Sequence, residues 1–273
     1  MRQDVEFLSK DRTKLIASLW DANSHQWLLW IHGFAEHRLR YENFANFLYE
    51  HQISFFIFDL RGHGDSEGKR GLILDFQEYL NDVEAAIQFL STKTKKIHIG
   101  GHSMGGLILG RYLETRNPPI EIKSAILTCP FIGLGMPVPG WKRFLGNLLS
   151  KPLPGLLLPS GLDPEKLSHD KHVVESYKND PKVFKHATAR WFAECLKHQE
   201  LVVKEASNIR IPTLVLQGLS DEIVDPQAAK TFYENLTTEK RWIGYERLYH
   251  EILNEIQEER QKVYQDILKW IKK

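Results

Sequence analysis

The pentapeptide Gly101-His102-Ser103-Met104-Gly105 constrains the fold of this chain more than any other feature. It follows an apolar segment (96–100) typical of a β-strand and precedes an apolar segment (106–114) that we expect to be helical. A serine at a sharp strand-to-helix turn needs neighbours without side chains two positions away on each side. The spacing therefore predicts a strained turn that lifts the Ser103 hydroxyl clear of a sheet edge, where a base can reach it.

Segments typical of strands alternate with segments of helical periodicity along most of the chain. The predicted strands are 5–8, 14–20, 26–31, 53–58, 96–100, 124–128, 212–217 and about 240–245. The predicted helices are 41–50, 76–90, 106–114, 226–236 and 251–272. Continuous apolar runs such as 26–31 and 53–58 suit central strands that are covered on both faces. We therefore expect an α/β protein with a mostly parallel central sheet and helices on both faces.

One region interrupts this alternation. Seven of the twelve prolines lie from Pro130 to Pro164, and no Asp or Glu occurs between Glu121 and Asp163. Helical sequence follows over about 165–206, and strand-like sequence resumes only at Ile211. We interpret 130–208 as an inserted cap, or lid, over a core formed by 1–129 and 209–273.

Composition excludes several functional classes. The formal net charge of +1 gives no basic field for nucleic acid. We find neither the apolar run of a signal peptide nor the roughly 18 apolar residues of a membrane span. Cys129 and Cys195 have neither CxxC nor metal-ligand spacing, so we expect free thiols in a cytoplasmic protein, with a peripheral membrane association left open.

A nucleophilic serine needs a histidine base and a carboxylate that orients the base, in the chain order serine, acid, histidine. His250 is the only histidine after residue 198, and it follows the predicted strand near 240–245. Asp221 comes soonest after the strand 212–217, which favours it as the acid. Glu222 and Asp225 are the alternatives, although Asp225 precedes Pro226 and suits the N-cap of the next helix.

The negative charge that develops on a substrate oxygen needs backbone N–H donors. We expect these donors at Met104, the residue after the nucleophile, and at Phe34, where Gly33 permits a tight turn. His32 is predicted to be a buried structural histidine. The loop 61–64 (RGHG) is predicted to be scaffold.

Several motifs, taken in order, resemble the monoacylglycerol lipase and lysophospholipase family. They are 32–37 (HGFAEH), Arg40-Tyr41, 59–68 (DLRGHGDSEG), 101–106 (GHSMGG), Asp221 and Tyr249-His250. The resemblance implies an α/β-hydrolase fold with a mobile apolar cap, and a Ser-Asp-His triad that hydrolyses single-chain acyl esters without metal or cofactor. Ala35, Arg38-Leu39 and Leu253 depart from the family pattern.

The resemblance also suggests substrate-binding residues. Glu36 and Arg40 match polar residues near the glycerol head group in the family, and Glu255 matches a family carboxylate after the histidine. The alternative for Glu36 and Arg40 is a simple ion pair between residues four positions apart.

The sequence thus predicts a serine hydrolase acting on monoacylglycerol or lysophospholipid. Alternatives on the same scaffold are a thioesterase, a small-ester carboxylesterase or a peptidase, and, from another class, a non-catalytic ligand receptor. Trp141, Lys142 and Arg143 lie in an apolar segment with a basic fringe, which suits transient contact with an anionic membrane. The alternative is a cap that only roofs the acyl pocket. The oligomeric state is not predicted.

Overall fold

The computed structural model describes residues 2–135 and 149–273. Its main sheet contains the strands β1 (Arg2–Leu8), β2 (Lys14–Trp20), β3 (Trp27–Ile31), β4 (Ser54–Phe58), β5 (Lys96–His102), β6 (Glu121–Thr128), β9 (Thr213–Gly218) and β10 (Lys240–Tyr245). Every predicted strand is present within a few residues. The spatial order is β1-β2-β4-β3-β5-β6-β9-β10.

Strands β3 to β10 of this sheet run parallel, whereas β1 and β2 form an antiparallel hairpin at one edge. The hairpin turn closes through a hydrogen bond from the Ser9 N–H to the Thr13 carbonyl, 2.9 Å. Every residue of β3 and β4 is buried, because both faces of these central strands are covered by helices. The parallel order brings the carboxyl ends of β3, β5, β6 and β9 to one edge of the sheet.

The helices lie before β6, between β6 and β9, and after β9. They are α1 (Glu42–Glu50), α2 (Gln77–Leu90), α3 (Met104–Thr115), α4 (Lys171–Asn179), α5 (Ala189–Glu205), α6 (Pro226–Asn235) and α7 (Gln257–Ile271). Helix α1 packs against α7, whereas α2 and α5 pack against α3. The fold is that of an α/β hydrolase.

The predicted start of the last helix, near residue 251, is wrong. Residues 251–256 form turns, with hydrogen bonds from the Ile252 N–H to the His250 carbonyl and from the Asn254 N–H to the Glu251 carbonyl. Ile252 and Leu253 are buried although they lie in a loop, whereas Ile256 is 42% exposed. Their spacing suggested a helix because loop residues that pack on a core are apolar as well.

Between β6 and β9 the chain forms a small separate sheet of β7 (Leu157–Pro159) and β8 (His186–Thr188), which pair antiparallel. The continuous helical segment predicted for 165–206 is wrong, because α4 ends at Asn179 and α5 begins at Ala189. Pro181 follows α4 and has no N–H to continue it. Helix α5 contacts α3 directly, with a hydrogen bond from Arg111 Nε to His198 Nδ1 of 3.2 Å.

Trp141, Lys142 and Arg143, on which the prediction of membrane contact depends, lie outside the described residues. Cys129 and Cys195 are buried free thiols, as predicted. Across 2–135 and 149–273, none of the helices has both the length and the apolar character to cross a membrane.

Candidate active site

Ser103 occupies the turn between β5 and α3, with φ 52° and ψ −118°. A positive φ is strained for any residue with a side chain, and such strain is typical of functional sites. The surrounding backbone holds it: the Ser103 N–H donates to the Thr128 carbonyl (3.0 Å), and the Ser103 carbonyl accepts from the Gly106 and Phe131 N–H groups (both 2.9 Å). The strained turn predicted from the pentapeptide is confirmed.

Steric contacts explain the two glycines around this turn. A Cβ atom on Gly101 would lie 2.4 Å from the Gly105 carbonyl oxygen. A Cβ on Gly105 would lie 2.1 Å from the carbonyl oxygen of Ile31, on the neighbouring strand β3. Neither obstacle is a flexible side chain, so the spacing of glycine, serine and glycine is required by backbone contacts.

His250 and Asp221 form a buried pair at the same edge of the sheet. His250 Nδ1 lies 2.7 Å from Asp221 Oδ2. The other carboxylate oxygen, Oδ1, accepts the backbone N–H groups of Ile223 (2.8 Å) and Val224 (3.0 Å). A carboxylate can only accept, so Nδ1 carries the proton and Nε2 is the basic nitrogen of the neutral ring.

The electrostatics of this pair favour the charged forms of both side chains, a protonated His250 beside an ionised Asp221. Burial alone would lower the pKa of His250, but the charge and hydrogen bond of Asp221, with Glu251 and Glu36 nearby, raise it overall. Burial would raise the pKa of Asp221, but the charge and hydrogen bond of His250 lower it overall. The pair thus stabilises the imidazolium that a general base becomes after it accepts a proton.

The other two candidate acids lie elsewhere. Glu222 is exposed and forms an ion pair with Lys166, 2.7 Å. Asp225 is the N-cap of α6, where its side chain accepts the Gln227 N–H at 2.9 Å, as predicted. Of the three candidates, Asp221 is the one that contacts His250.

The loop after β3 approaches the nucleophile turn closely. A Cβ on Gly33 would lie 3.2 Å from the Cβ of Ser103. The backbone of the next residue, Phe34, therefore starts beside the serine. Met104 is the first residue of α3, and the first N–H groups of a helix have no acceptor within the helix. These positions suit the two proposed N–H donors.

His32 is buried below this loop and makes two hydrogen bonds. Its Nε2 accepts the Leu60 N–H (2.9 Å), and its Nδ1 lies 2.7 Å from the Gly33 carbonyl oxygen, to which it donates. Burial lowers its pKa to about 3, so the ring is neutral. The prediction of a buried structural histidine is confirmed.

Glu36 and Arg40 belong to a buried polar network. Arg40 makes two hydrogen bonds to Glu251, of 2.7 and 2.8 Å, and lies 3.5 Å from Glu36. Glu36 in turn accepts the Gly33 N–H (2.5 Å) and the Tyr41 hydroxyl (2.7 Å). The predicted contact between Glu36 and Arg40 is present, but the participation of Glu251 was not predicted. Its position directly after His250 was the signal that could have identified it.

Glu255, the third residue predicted to bind the head group, also makes hydrogen bonds within the protein. It accepts hydrogen bonds from His169 Nδ1 (2.9 Å) and from the Tyr249 N–H (3.1 Å), and the rings of His169 and Tyr249 stack with centroids 3.8 Å apart. Glu255 therefore ties the residue before His250 to the segment that leads into α4. A substrate-binding role for Glu36, Arg40 and Glu255 stays a prediction.

Loop 61–64 likewise makes internal contacts. Arg61 binds Asp82 through two hydrogen bonds, of 2.8 and 2.7 Å. A Cβ on Gly64 would lie 2.1 Å from a carboxylate oxygen of Asp59. These contacts stabilise the loop itself, which suits the predicted structural role.

Within the described ranges, the metal-ligating side chains that come together are Cys129, Asp221 and His250, whose ligand atoms lie within 4.8 Å of one another. Burial and the nearby Asp221 raise the pKa of the Cys129 thiol well above its ordinary value, which disfavours the thiolate that a metal ion prefers. An ion here would also have to break the hydrogen bond between Asp221 and His250. The geometry suits the orientation of an imidazole better than a metal site.

The chain is similar to a known protein family and to several proteins with assigned names. A family profile described as serine aminopeptidase S33 (Hydrolase_4) matches residues 22–257. Phospholipase YtpA of Bacillus subtilis is 30% identical, covering 84% of this chain and 89% of its own length. Monoglyceride lipase of Rattus norvegicus is 30% identical, covering 88% and 80%. The chain also matches an abhydrolase domain-containing protein of Dictyostelium discoideum at 32% identity, but spans only 26% of that protein.

A solved structure gives the same result for the fold. The monoacylglycerol lipase of Paleococcus ferrophilus superposes with a TM-score of 0.83 at 28% identity, covering 99% of this chain and 98% of the other. The similarity therefore includes the described part of the segment between β6 and β9 as well as the sheet.

Proposed function

Because the chain belongs to the serine hydrolase family described as serine aminopeptidase S33, and within it to the monoacylglycerol lipases and lysophospholipases, we propose that Ser103, His250 and Asp221 form its catalytic triad. The observation that carries the proposal is the buried contact between His250 Nδ1 and Asp221 at the sheet edge that also presents the strained Ser103. The protein is a carboxylic ester hydrolase, and the triad gives its mechanism.

In the acylation step, Nε2 of His250 takes the Ser103 hydroxyl proton while Oγ attacks the ester carbonyl carbon. The carbonyl oxygen becomes an oxyanion that the Phe34 and Met104 N–H groups stabilise. When the intermediate collapses, the bond to the alcohol oxygen breaks, and His250 gives its proton to that alcohol. In deacylation, His250 takes a proton from water, the hydroxide attacks the acyl-enzyme, and the fatty acid leaves as Ser103 regains its proton.

We infer that the substrates are single-chain lipid esters, either monoacylglycerols or lysophospholipids. The names of the relatives support this class, and so do the apolar rings around the nucleophile turn. Phe34 forms an edge-to-face contact with Phe184, with centroids 5.1 Å apart. Phe131 is buried directly beside the Ser103 backbone. Such rings suit an acyl chain rather than a charged peptide.

A substrate panel tests the proposal. We expect the purified protein to hydrolyse 1-monooleoylglycerol or lysophosphatidylcholine at least about tenfold faster, in kcat/KM, than a diacylglycerol, an acyl-CoA thioester or an aminoacyl p-nitroanilide. The Ser103→Ala variant should be inactive on every substrate. Preference for the anilide would favour a peptidase, which the description of the family profile includes. Preference for the thioester would favour a thioesterase, and fast turnover of short esters alone a small-ester carboxylesterase.

We further propose that residues 130–208 form the cap, and that the cap contacts lipid surfaces transiently. Leu153 and Leu157 support this proposal, because both are exposed large apolar side chains, and Leu157 has 59% of its surface exposed. We expect Leu153→Ser with Leu157→Ser to lower activity on anionic vesicles but not on a soluble butyrate ester. Leu8→Ser is the matched control, because Leu8 is also 59% exposed but lies on the edge strand β1. Equal loss on both substrates would leave the cap as a pocket roof only.

A further inference from the structure

Trp191 contacts two residues of the proposed active site. It lies in the first turn of α5 and is buried, with 4% of its surface exposed. Its ring stacks on the Phe34 ring, with centroids 3.9 Å apart and planes inclined by 30°. Its indole Nε1–H donates to the sulfur of Met104 at 3.3 Å. One side chain thus contacts both residues whose backbone N–H groups form the proposed oxyanion hole.

From this geometry, and resting on the proposed function, we propose that Trp191 is a positioning residue that sets the alignment of the two oxyanion-hole donors. The hole is then complete only when α5 lies in the position seen here.

The two donors differ in how firmly the backbone holds them. Met104 begins a regular helix, whereas Phe34 lies in a loop beside Ala35, which has a positive φ of 62°. The Gly33 N–H is held from one side by Glu36. On the side-chain side, the Phe34 ring stacks on the Trp191 ring. Stacking against a buried indole therefore restricts the one donor that regular secondary structure does not fix.

Trp191 is itself anchored to the core. Thr188 is the N-cap of α5, and its hydroxyl oxygen accepts the Trp191 N–H at 3.3 Å. The same hydroxyl donates to the Gly71 carbonyl at 2.7 Å. Gly71 has a positive φ of 61°, and a Cβ there would lie 3.0 Å from the Phe184 ring. A continuous set of contacts therefore joins a core loop, the start of α5 and the oxyanion hole.

This position predicts a particular kinetic signature. An oxyanion exists only in the transition state and the tetrahedral intermediate, so misaligned donors lower kcat and leave substrate binding almost unchanged. A residue that merely lines the acyl pocket would change KM instead.

The test compares Trp191→Leu with the wild type on p-nitrophenyl butyrate, a short ester that makes little use of an acyl pocket. We expect kcat to fall about tenfold to a hundredfold, with KM within about twofold. The affinity for an alkyl trifluoromethyl ketone, whose serine adduct carries an oxyanion, should fall by the same factor as kcat. Trp191→Phe keeps a stacked ring but loses the N–H donor, so its loss should be smaller.

Phe192→Leu is the matched control. Phe192 is the next residue of α5, is half-buried and packs on the core, so its loss perturbs the same helix without removing the Trp191 ring. We expect it to keep kcat and the affinity for the ketone. Equal effects of Phe192→Leu and Trp191→Leu, or a rise in KM at unchanged kcat, would overturn the proposal.

One further measurement covers the case in which Trp191→Leu does not fold. If Trp191→Leu fails to fold by circular dichroism, the double-mutant cycle of Trp191→Phe with Met104→Leu replaces it; non-additive losses in kcat support the proposal and additive losses overturn it. Because the assay uses a butyrate ester, the proposed lipid class can fail on the substrate panel while this test stands. Absence of wild-type turnover on every ester would instead refute the proposed function.

Discussion

The loops at the carboxyl edge of the main sheet and the surface of the segment between β6 and β9 (the inserted segment) make different kinds of contact. At the edge, backbone atoms pack directly against each other, and Gly105, for example, lies against the Ile31 carbonyl group. In the inserted segment, much of the surface contact is between exposed charges, such as Lys178 with Glu165 at 2.6 Å. Backbone contacts tolerate no added atom, whereas solvated ion pairs contribute little. The edge should therefore be sensitive to single substitutions and the surface of the inserted segment tolerant of them.

The largest expected effect is at Asp221. Asp221→Asn should lower kcat by about 10⁴, because an amide leaves the wrong histidine tautomer favoured. Steady-state kinetics on p-nitrophenyl butyrate measure it. Asp225→Ala, four residues away, should keep kcat within about twofold and cost about 1 kcal/mol of unfolding free energy as a lost helix cap. The reverse pattern would mean that the acid is wrongly assigned.

A pair of glycines tests the comparison directly. Gly105→Ala should cost about 3 kcal/mol of unfolding free energy or prevent folding, because the new methyl group meets backbone oxygen. Gly155→Ala is the matched control in the inserted segment, where no atom lies within 4 Å of the added Cβ. It should be neutral or stabilise by up to about 1 kcal/mol. Urea denaturation of both variants measures the difference, and similar costs would remove the contrast between the regions.

The pH dependence tests the electrostatics of the edge. Only neutral His250 can act as a base, so kcat/KM should rise with pH through the pKa of this histidine in the free enzyme. Since Asp221 raises that pKa, the acidic limb should lie above the ordinary value of 6.5. Below it, activity should fall about tenfold per pH unit. The residual activity of Asp221→Asn should have its acidic limb at lower pH, and an unmoved limb would show that another group titrates.

The smallest effect is expected at the surface of the inserted segment. Lys178→Ala removes ion pairs to Glu165 and Glu175, both on exposed side chains. We expect little change in unfolding free energy, because these ion pairs are solvated, and no change in kcat. Thermal denaturation and the butyrate assay check both. A loss in kcat above about tenfold would show that this surface is coupled to the site.

The same contrast explains how much the sequence could predict. Each strand of the main sheet was predicted within a few residues, and the central strands β3 and β4 most directly, because continuous apolar runs identify strands that are buried on both faces. The strained Ser103 was predictable as well, because its glycines are required by local sterics. Glu251 and Trp191 were not, since their partners Arg40, Phe34 and Met104 are distant in sequence and only the fold brings them together. The break between α4 and α5 near Pro181 was not predicted either, because the residues around it have helical spacing.

The central claim is that Ser103 is an activated nucleophile. Labelling of the intact protein with a fluorophosphonate, followed by peptide mass spectrometry, tests it most directly, because the reagent forms a stable adduct only with an activated residue. The account predicts one adduct per chain, on Ser103, and neither labelling nor turnover in Ser103→Ala. Stoichiometric labelling of another residue, with Ser103 unmodified, would contradict it.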